Sequence, residues 1–287
     1  MTGSPLKWQR KNQRSGFTSS SARTKPLPWA PPSSDISVIR SNISIGGSGN
    51  ATYSGLVDGG NTLTLLGTGT KLFTGLVGNT TAPTSITQND ATGAVRFNEN
   101  VKVGASGATF NANVTLDGLV FTSGGPVTFG SAAADTLTIS GAATTITTNS
   151  GLLTLTATTT GNENLTLSSA GGIAFNSPVT MAVDKNLSAT STSTTVGINL
   201  PVSGADSDIA TSGDGTVSLT ATRNIDLQAG SSITTVNGGI TLSANATGAT
   251  TGNFVGLSAS GATIRTSGTD NISLTGRGAN NSNVNSS

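Results

Sequence analysis

Cysteine and histidine are both absent from the 287 residues of this chain. Without Cys there is no disulfide framework, no zinc held on thiolates and no thiolate nucleophile. Without His the commonest general base and the commonest transition-metal ligand are gone. Charge is scarce too: Asp, Glu, Lys and Arg make up 9% of the chain, against about 25% in an average soluble domain. Aromatic residues make up only 4%. A chain so poor in large side chains cannot fill a wide globular core. What it does have is Thr, Ser, Gly, Asn and Ala, interleaved with regularly spaced Leu, Ile and Val. That supplies a core one or two side chains across, and points to a long, thin molecule.

Disorder is the competing account of low hydrophobicity, but it normally comes with high net charge. Here 14 basic residues stand against 13 acidic ones, a balance of +1, and the Thr, Val and Ile content favours strands. The balance hides an asymmetry. Residues 1–40 hold Lys7, Arg10, Lys11, Arg14, Arg23, Lys25 and Arg40 against the single acid Asp35, along with both tryptophans, Trp8 and Trp29, and a Pro-rich stretch at 25–32. This head has no periodicity and reads as a disordered basic arm, or as a leader translated from a misassigned start. A basic arm can also lie on nucleic acid or a membrane surface. The plainer reading is preferred, and no nucleic-acid partner is expected. No apolar stretch of roughly 7–15 residues follows the basic start, and no apolar run of about 18 or more occurs. Neither a signal peptide nor a membrane span is therefore expected in the chain as written.

From residue 41 onward short apolar–polar–apolar triplets recur. Leu63-Thr64-Leu65, Leu137-Thr138-Ile139, Leu153-Thr154-Leu155 and Leu165-Thr166-Leu167 are examples, continued by Val217-Ser218-Leu219, Ile225-Asp226-Leu227, Ile240-Thr241-Leu242 and Ile272-Ser273-Leu274. Alternation of this kind marks a strand with one buried face. The intervening Gly-Gly, Asn-Gly and Asp-Gly pairs supply tight turns. Val217, Ile225 and Ile233 lie eight apart, Ile240 follows after seven, and Ile264 to Ile272 is eight again. Three such strands make a coil of roughly 20–25 residues, the range in which internal repetition implies a solenoid. Residues 245–253 are the expected loop insertion.

The expected fold is therefore all-β, a parallel β-helix of roughly ten coils, each rising about 4.8 Å. It divides into an arm (1–40), irregular coils (41–135), regular coils (136–278) and a disordered polar tail (279–287) that does not look like a cap. Phe97, Phe110, Phe121 and Phe129, at spacings of 13, 11 and 8 in the irregular part, are expected to stack inside wider coils. A sugar-binding platform is the lesser reading, because Phe lacks the polar edge of Trp and Tyr.

Chemistry is harder to find. The densest acidic cluster is Asp206, Asp208 and Asp214, within residues 204–215. Three carboxylates with loop carbonyls suit calcium, yet the spacing is not that of an EF-hand loop and no Gly-Gly-x-Gly-x-Asp repeat occurs. Asp and Gly are also ordinary turn formers, so a turn is the stronger reading, calcium the next, and no other cofactor is expected. The remaining acids are dispersed, and no His exists to activate a Ser or Thr. The Gly-x-Gly sites open no helix and are not phosphate loops. Sequons such as Asn42-Ile43-Ser44 and Asn113-Val114-Thr115 are expected by chance in so Thr-rich a chain.

The stretch 213–278, with its phrases GTVSLTA, RNIDLQAGSSI and DNISLTG, resembles the repeats of filamentous-haemagglutinin-type bacterial surface adhesins. Residues 59–74 (GGNTLTLLGTGTKLFT) are more similar to autotransporter passenger repeats. The resemblance implies a right-handed parallel β-helix, export across the cell envelope and an adhesive role at the cell surface or outside the cell. The absence of Cys fits export. The chain departs from that family in showing no secretion domain and no C-terminal membrane barrel, and in its shortness, which suggests a fragment of a larger gene or a repeat-only relative.

A non-enzymatic exported structural or adhesive solenoid is thus the leading functional expectation. Its partners would be surface glycans, other cell-surface polymers or sister molecules. An ice-binding solenoid is the alternative, with Thr145, Thr147, Thr154, Thr156 and Thr158 as contributors, although along the sequence the Thr positions drift. A polysaccharide-active β-helix enzyme is disfavoured by the missing His. These readings share one physical expectation: residues 41–280 should give a strand-rich circular dichroism spectrum that melts cooperatively, and a coil-like spectrum would contradict all of them.

Overall fold

Alternating triplets can bury their aliphatics only if each strand lies beside another, and the chain achieves this by coiling. The computed structural model describes residues 37–38, 41–201 and 207–280. Within them the chain forms a parallel β-solenoid of about nine turns, with no helix among the described residues. Three sheets run along it. The first has ten strands, from Ile43–Ile45 to Leu257–Ser258, and the second has ten, from Ala51–Tyr53 to Thr263–Thr266. The third has eight, from Val101–Val103 to Ile272–Gly276. Val77 extends it by single bridges to Val101 and Val57, reaching the pair Ser37–Val38 and Val57–Asp58.

Each triplet named above is a strand or part of one, with its polar residue outward and, except in the last, Ile272-Ser273-Leu274, its aliphatics buried. Successive coils hold the same register. Leu153 pairs with Ile173, Ile173 with Ile198, Ile198 with Ile225 and Ile225 with Leu257. The step between paired residues varies from 19, Ala108 to Val127, up to 32, Ile225 to Leu257. Corners absorb the difference. Residues 245–256 form the longest such excursion, at the expected insertion. Thr250 there donates to Thr222 O (2.8 Å), and Arg223 lies 4.8 Å from the ring centre of Phe254.

The corners follow simple rules. Gly107 has φ +78° and a Cβ there would meet Pro126 O at 1.9 Å, so only glycine fits beneath the next coil. Asparagine recurs for a different reason. The side-chain oxygens of Asn42, Asn50, Asn100, Asn113, Asn164 and Asn186 accept hydrogen bonds from the backbone N–H of Thr62, Thr70, Val120, Thr136, Asn186 and Thr216, at 2.8–3.0 Å. Each Asn thus satisfies a donor in the coil after its own. Asn42-Ile43-Ser44 and Asn113-Val114-Thr115 are such corners followed by a strand whose Ser or Thr faces outward, so the sequons have a structural cause rather than chance alone.

The core is a set of columns one residue wide. Tyr53, Phe73 and Phe97 stack at 5.0 and 5.1 Å, and Phe110 and Phe129 at 5.4 Å. Phe121 packs edge-on against Phe97, Phe110 and Phe129. Phe97, Phe110, Phe121 and Phe129 are fully buried, which removes the sugar-platform alternative.

Several expectations need adjustment. The roughly ten coils expected are present as about nine turns. Ser37–Val38 already pairs with Val57–Asp58, so strand pairing starts inside the stretch read as an arm; the rest of 1–40 lies outside the described residues. The tail was expected to begin at 279. Instead the Ala279 and Asn280 N–H groups donate to Phe254 O (3.1 Å) and Thr250 O (3.0 Å), because the inserted loop folds back beside them. Residues 281–287 lie outside the described residues.

Two measurements check this packing. Phe110→Ala empties a ring-sized site touched by three other rings, and should cost about 3–5 kcal/mol in denaturant unfolding. Thr109→Ala, on the opposite face of the same strand, should stay within about 0.5 kcal/mol of the parent. The single tyrosine gives a second check. Burial pushes the Tyr53 phenol above its ordinary value of 10.0. The native state then holds this proton more tightly than the unfolded chain, so stability is full below pH 10 and falls as pH rises past it. Alkaline absorbance titration should give a higher midpoint in the native protein than in denaturant.

Candidate functional site

Outward positions repeat as faithfully as inward ones. On the third sheet, Thr145, Thr166, Ser188, Ser218, Thr241 and Ser273 form one column, and Thr147, Ser168, Thr190, Thr220, Ser243 and Thr275 the next. Six successive strands therefore present two hydroxyl residues each, half-buried or exposed, with no charged side chain among them. The hydroxyl residues of one strand stand two residues apart, roughly 6.6 Å, and neighbouring strands about 4.8 Å apart. Lys102 and Val120 mark the N-terminal limit of the two columns.

The other sheets carry single columns. Thr64, Thr87, Thr109, Thr128 and Thr154 align on the first sheet before Ala174, Asn199 and Asp226 interrupt them. On the second, Thr115, Thr138, Thr160 and Thr180 align between Arg96 and Ala210.

This corrects the expectation that Thr positions drift. The drift belongs to chain length alone. Coils of unequal length make the third-sheet residues 21 to 32 positions apart in sequence, while hydrogen bonding between strands keeps the register constant. The five threonines singled out earlier do not form one face. Thr145 and Thr147 lie on the third sheet, Thr154 on the first, Thr156 in the following corner, and Thr158 opens a strand of the second.

The candidate calcium residues are separated. Asp208 opens the strand Asp208–Ser212, and Asp214 sits in the turn after it, next to Gly213 with φ 60°. Asp208 is thus the first residue of a five-residue strand, roughly 16 Å long, and Asp214 follows its far end. Asp206 lies outside the described residues. Asp214 behaves as a turn residue. Its N–H donates to Asp184 Oδ1 (2.8 Å), and its own Oδ1 accepts from Asn237 Nδ2 (3.2 Å). Among the described residues no group of three His, Cys, Asp or Glu could hold a metal ion.

Other carboxylates are similarly engaged in corners. Asp58 accepts from Thr80 N–H at 3.1 and 3.2 Å, and Asp135 from the N–H groups of Ser131 (2.7 Å) and Ala132 (2.9 Å). Asp117 pairs with Arg96, and Glu163 with Lys185 at 2.8 Å, each linking neighbouring coils. A shallow cavity beside Val77, where the third sheet narrows to single bridges, is lined by Leu76, Asn79, Asn100, Val101 and Lys102 among others. Lys102 is the one charged residue in that lining.

The most deeply buried charge was missed by sequence reasoning. Lys71 occupies an inward position between Ala51 and Val95 and is 2% exposed. Its ammonium donates to Gly47 O (3.2 Å) and Gly69 O (3.0 Å) at the corner between the first and second sheets. The alternation of Thr70–Phe73 places it inward by parity, which was the available signal. Both partners are backbone carbonyls, so the side chain ties two coils together.

No family model, no curated protein and no solved structure matches this chain.

Proposed function

We propose that this protein is a non-enzymatic, exported structural and adhesive solenoid that attaches to neutral surface glycans or other cell-surface polymers through repeated hydroxyl contacts. The observation that carries this reading is the pair of Ser/Thr columns on the third sheet, six strands long and without charge. Every hydroxyl both donates and accepts, which matches the chemistry of a sugar hydroxyl. One such bond is worth only about 0.5–1.5 kcal/mol net. A row of them gains strength by multiplicity when the ligand is itself an extended repeating polymer. The lack of charge in the columns favours a neutral ligand over an acidic one.

The non-enzymatic part of the reading is supported by Asp58 and Asp135, which accept from turn backbone, and by Asp117 and Glu163, each paired with a single basic partner. Export and surface location are supported by the resemblance of residues 213–278 to surface-adhesin repeats and by the absence of cysteine.

A second reading is favoured by the same constancy of register. Two hydroxyl residues per strand on a flat face suit the surface of ice as well as a glycan, although five of the twelve positions are Ser and lack the Thr methyl group.

The double substitution Thr190→Lys with Thr220→Lys places two charges on adjacent strands of one column. Retention of the protein on a panel of immobilised neutral polysaccharides and on intact cells should fall at least tenfold, with the circular dichroism spectrum unchanged. Equal retention of parent and variant would sink the assignment of this face. Thermal hysteresis in the parent that disappears in the variant, without polysaccharide retention, would assign the face to ice instead.

A further inference from the structure

We propose that the cavity at the N-terminal limit of the two hydroxyl columns is a terminal subsite of the same face, and that it takes the carboxylate-bearing end sugar of an otherwise neutral glycan. The proposal rests on the glycan reading above and adds the end group that this ligand carries.

The cavity arises from a change of residue type within a fixed register. Val77 bridges Val101, and Val101 pairs with Phe121. Their outward neighbours therefore fall into line. Leu76, Asn100 and Val120 precede Thr145 in one column, and Gly78, Lys102 and Thr122 precede Thr147 in the next. Gly78 has φ +74°, and a Cβ there would collide with Lys102 O, so this position carries no side chain. Where later coils present a hydroxyl, this coil presents bare backbone walled by larger residues. That backbone is held firmly. Val77 N–H donates to Asn100 O (3.1 Å), Gly78 N–H to Val57 O (2.8 Å) and Lys102 N–H to Val77 O (2.8 Å). The hollow lies in the side of the solenoid, since Val57–Asp58 and Ser37–Val38 continue the strand pairing past it.

Its lining selects a ligand. The volume is about 210 Å³, below the roughly 300–1,000 Å³ of a pocket that buries a drug-sized molecule, and it suits one sugar ring. Val120 is 45% exposed and Leu76 half-buried, an apolar wall for the C–H face of that ring. Asn79 and Asn100 are exposed amides, a group that both donates and accepts. Lys102 is exposed and supplies the positive charge. Among the described residues the ion pairs are Arg96 with Asp117 and Lys185 with Glu163, so no carboxylate of these residues pairs with Lys102. Glu99 stands exposed in the corner before Asn100, and Asp58 accepts from Thr80 N–H. An ammonium is a compact point charge that suits a single carboxylate. Phosphate and sulfate esters favour the planar fork of arginine, and the lining contains no arginine.

Continuity with the columns fixes the rest. Val120 and Thr122 stand one coil from Thr145 and Thr147, about 4.8 Å away. A chain lying along the columns thus brings its last ring over the cavity. A neutral body on uncharged hydroxyls and an acidic cap on Lys102 are then parts of one ligand.

The test uses the full chain on an array of neutral oligosaccharides, each printed also with a terminal glucuronic acid. The parent should be retained about fivefold more on the capped member of a pair, the upper end for an exposed ion pair. Lys102→Met should remove that difference, keep the circular dichroism spectrum and leave retention on the neutral members unchanged. A second measurement isolates the cavity from the columns. Millimolar glucuronate, but not glucose, should shift the methyl NMR resonances of Val120 and Leu76 in the parent and not in Lys102→Met. Such shifts without retention on any neutral member would keep the cavity and discard the columns as a glycan face. Equal retention of capped and neutral members with no glucuronate shift overturns the proposal. So does a preference for the acid cap that survives Lys102→Met.

Discussion

Every strand of this protein must find its partner one coil further along the chain, in parallel and at a fixed register. The backbone N–H and C=O groups of an internal strand are satisfied on both edges only when that condition holds. It holds from Ile43 to Leu257 on the first sheet and from Ala51 to Ile264 on the second. Once register is fixed, side chains have no freedom of placement. A residue type that recurs at one inward position becomes a column in the core, and one that recurs outward becomes a column on the surface. Core and candidate binding face thus have the same cause, and a one-residue slip in any strand would exchange them.

The narrowness of the core follows from the same geometry. Three short strands enclose little volume, so aliphatic columns fill most of it; rings stack from coil to coil between Tyr53 and Phe129, and Phe175 enters singly beyond Leu155. Near the corners the inward positions turn small and polar. Ser123, Thr148, Ser169 and Ser191 form one such column. Its hydroxyls are taken up locally, with Thr148 donating to Ser169 Oγ at 2.7 Å and Ser191 to Val196 O at 3.1 Å. Lys71 is the extreme case, a cation carried inward because its ammonium reaches two corner carbonyls.

Much of the fold was legible in the sequence because alternation is local. Leu153-Thr154-Leu155 declares its buried face within three residues, and the eight-residue steps from Val217 to Ile233 reveal three strands per coil. Phe97 and Phe110 were readable as internal because Phe lacks the polar edge that Trp and Tyr bring to a sugar contact. Register was not legible. The steps between paired residues range from 19 to 32, so alignment by counting fails where a corner lengthens, and the hydroxyl columns of the third sheet looked scattered. Corner chemistry was hidden for a related reason. The Asn186 side chain bonds to Thr216, 30 residues away, a separation no local pattern discloses. Asp208 and Asp214 illustrate the converse, since they are close in sequence and stand at opposite ends of one strand.

In a solenoid of this kind the strands lie across the long axis and the hydrogen bonds between coils lie along it. A tensile load between the two ends therefore acts on those bonds in their own direction, one coil at a time, and does not shear many together. A coil of 20 residues adds about 4.8 Å to the rod when folded and roughly 70 Å when drawn straight. Because each coil touches only its neighbours, those beyond the point of release keep their register and can receive the lost coil again. The ladder that gives the molecule its shape thus also sets how it would yield under load, coil by coil and in discrete steps.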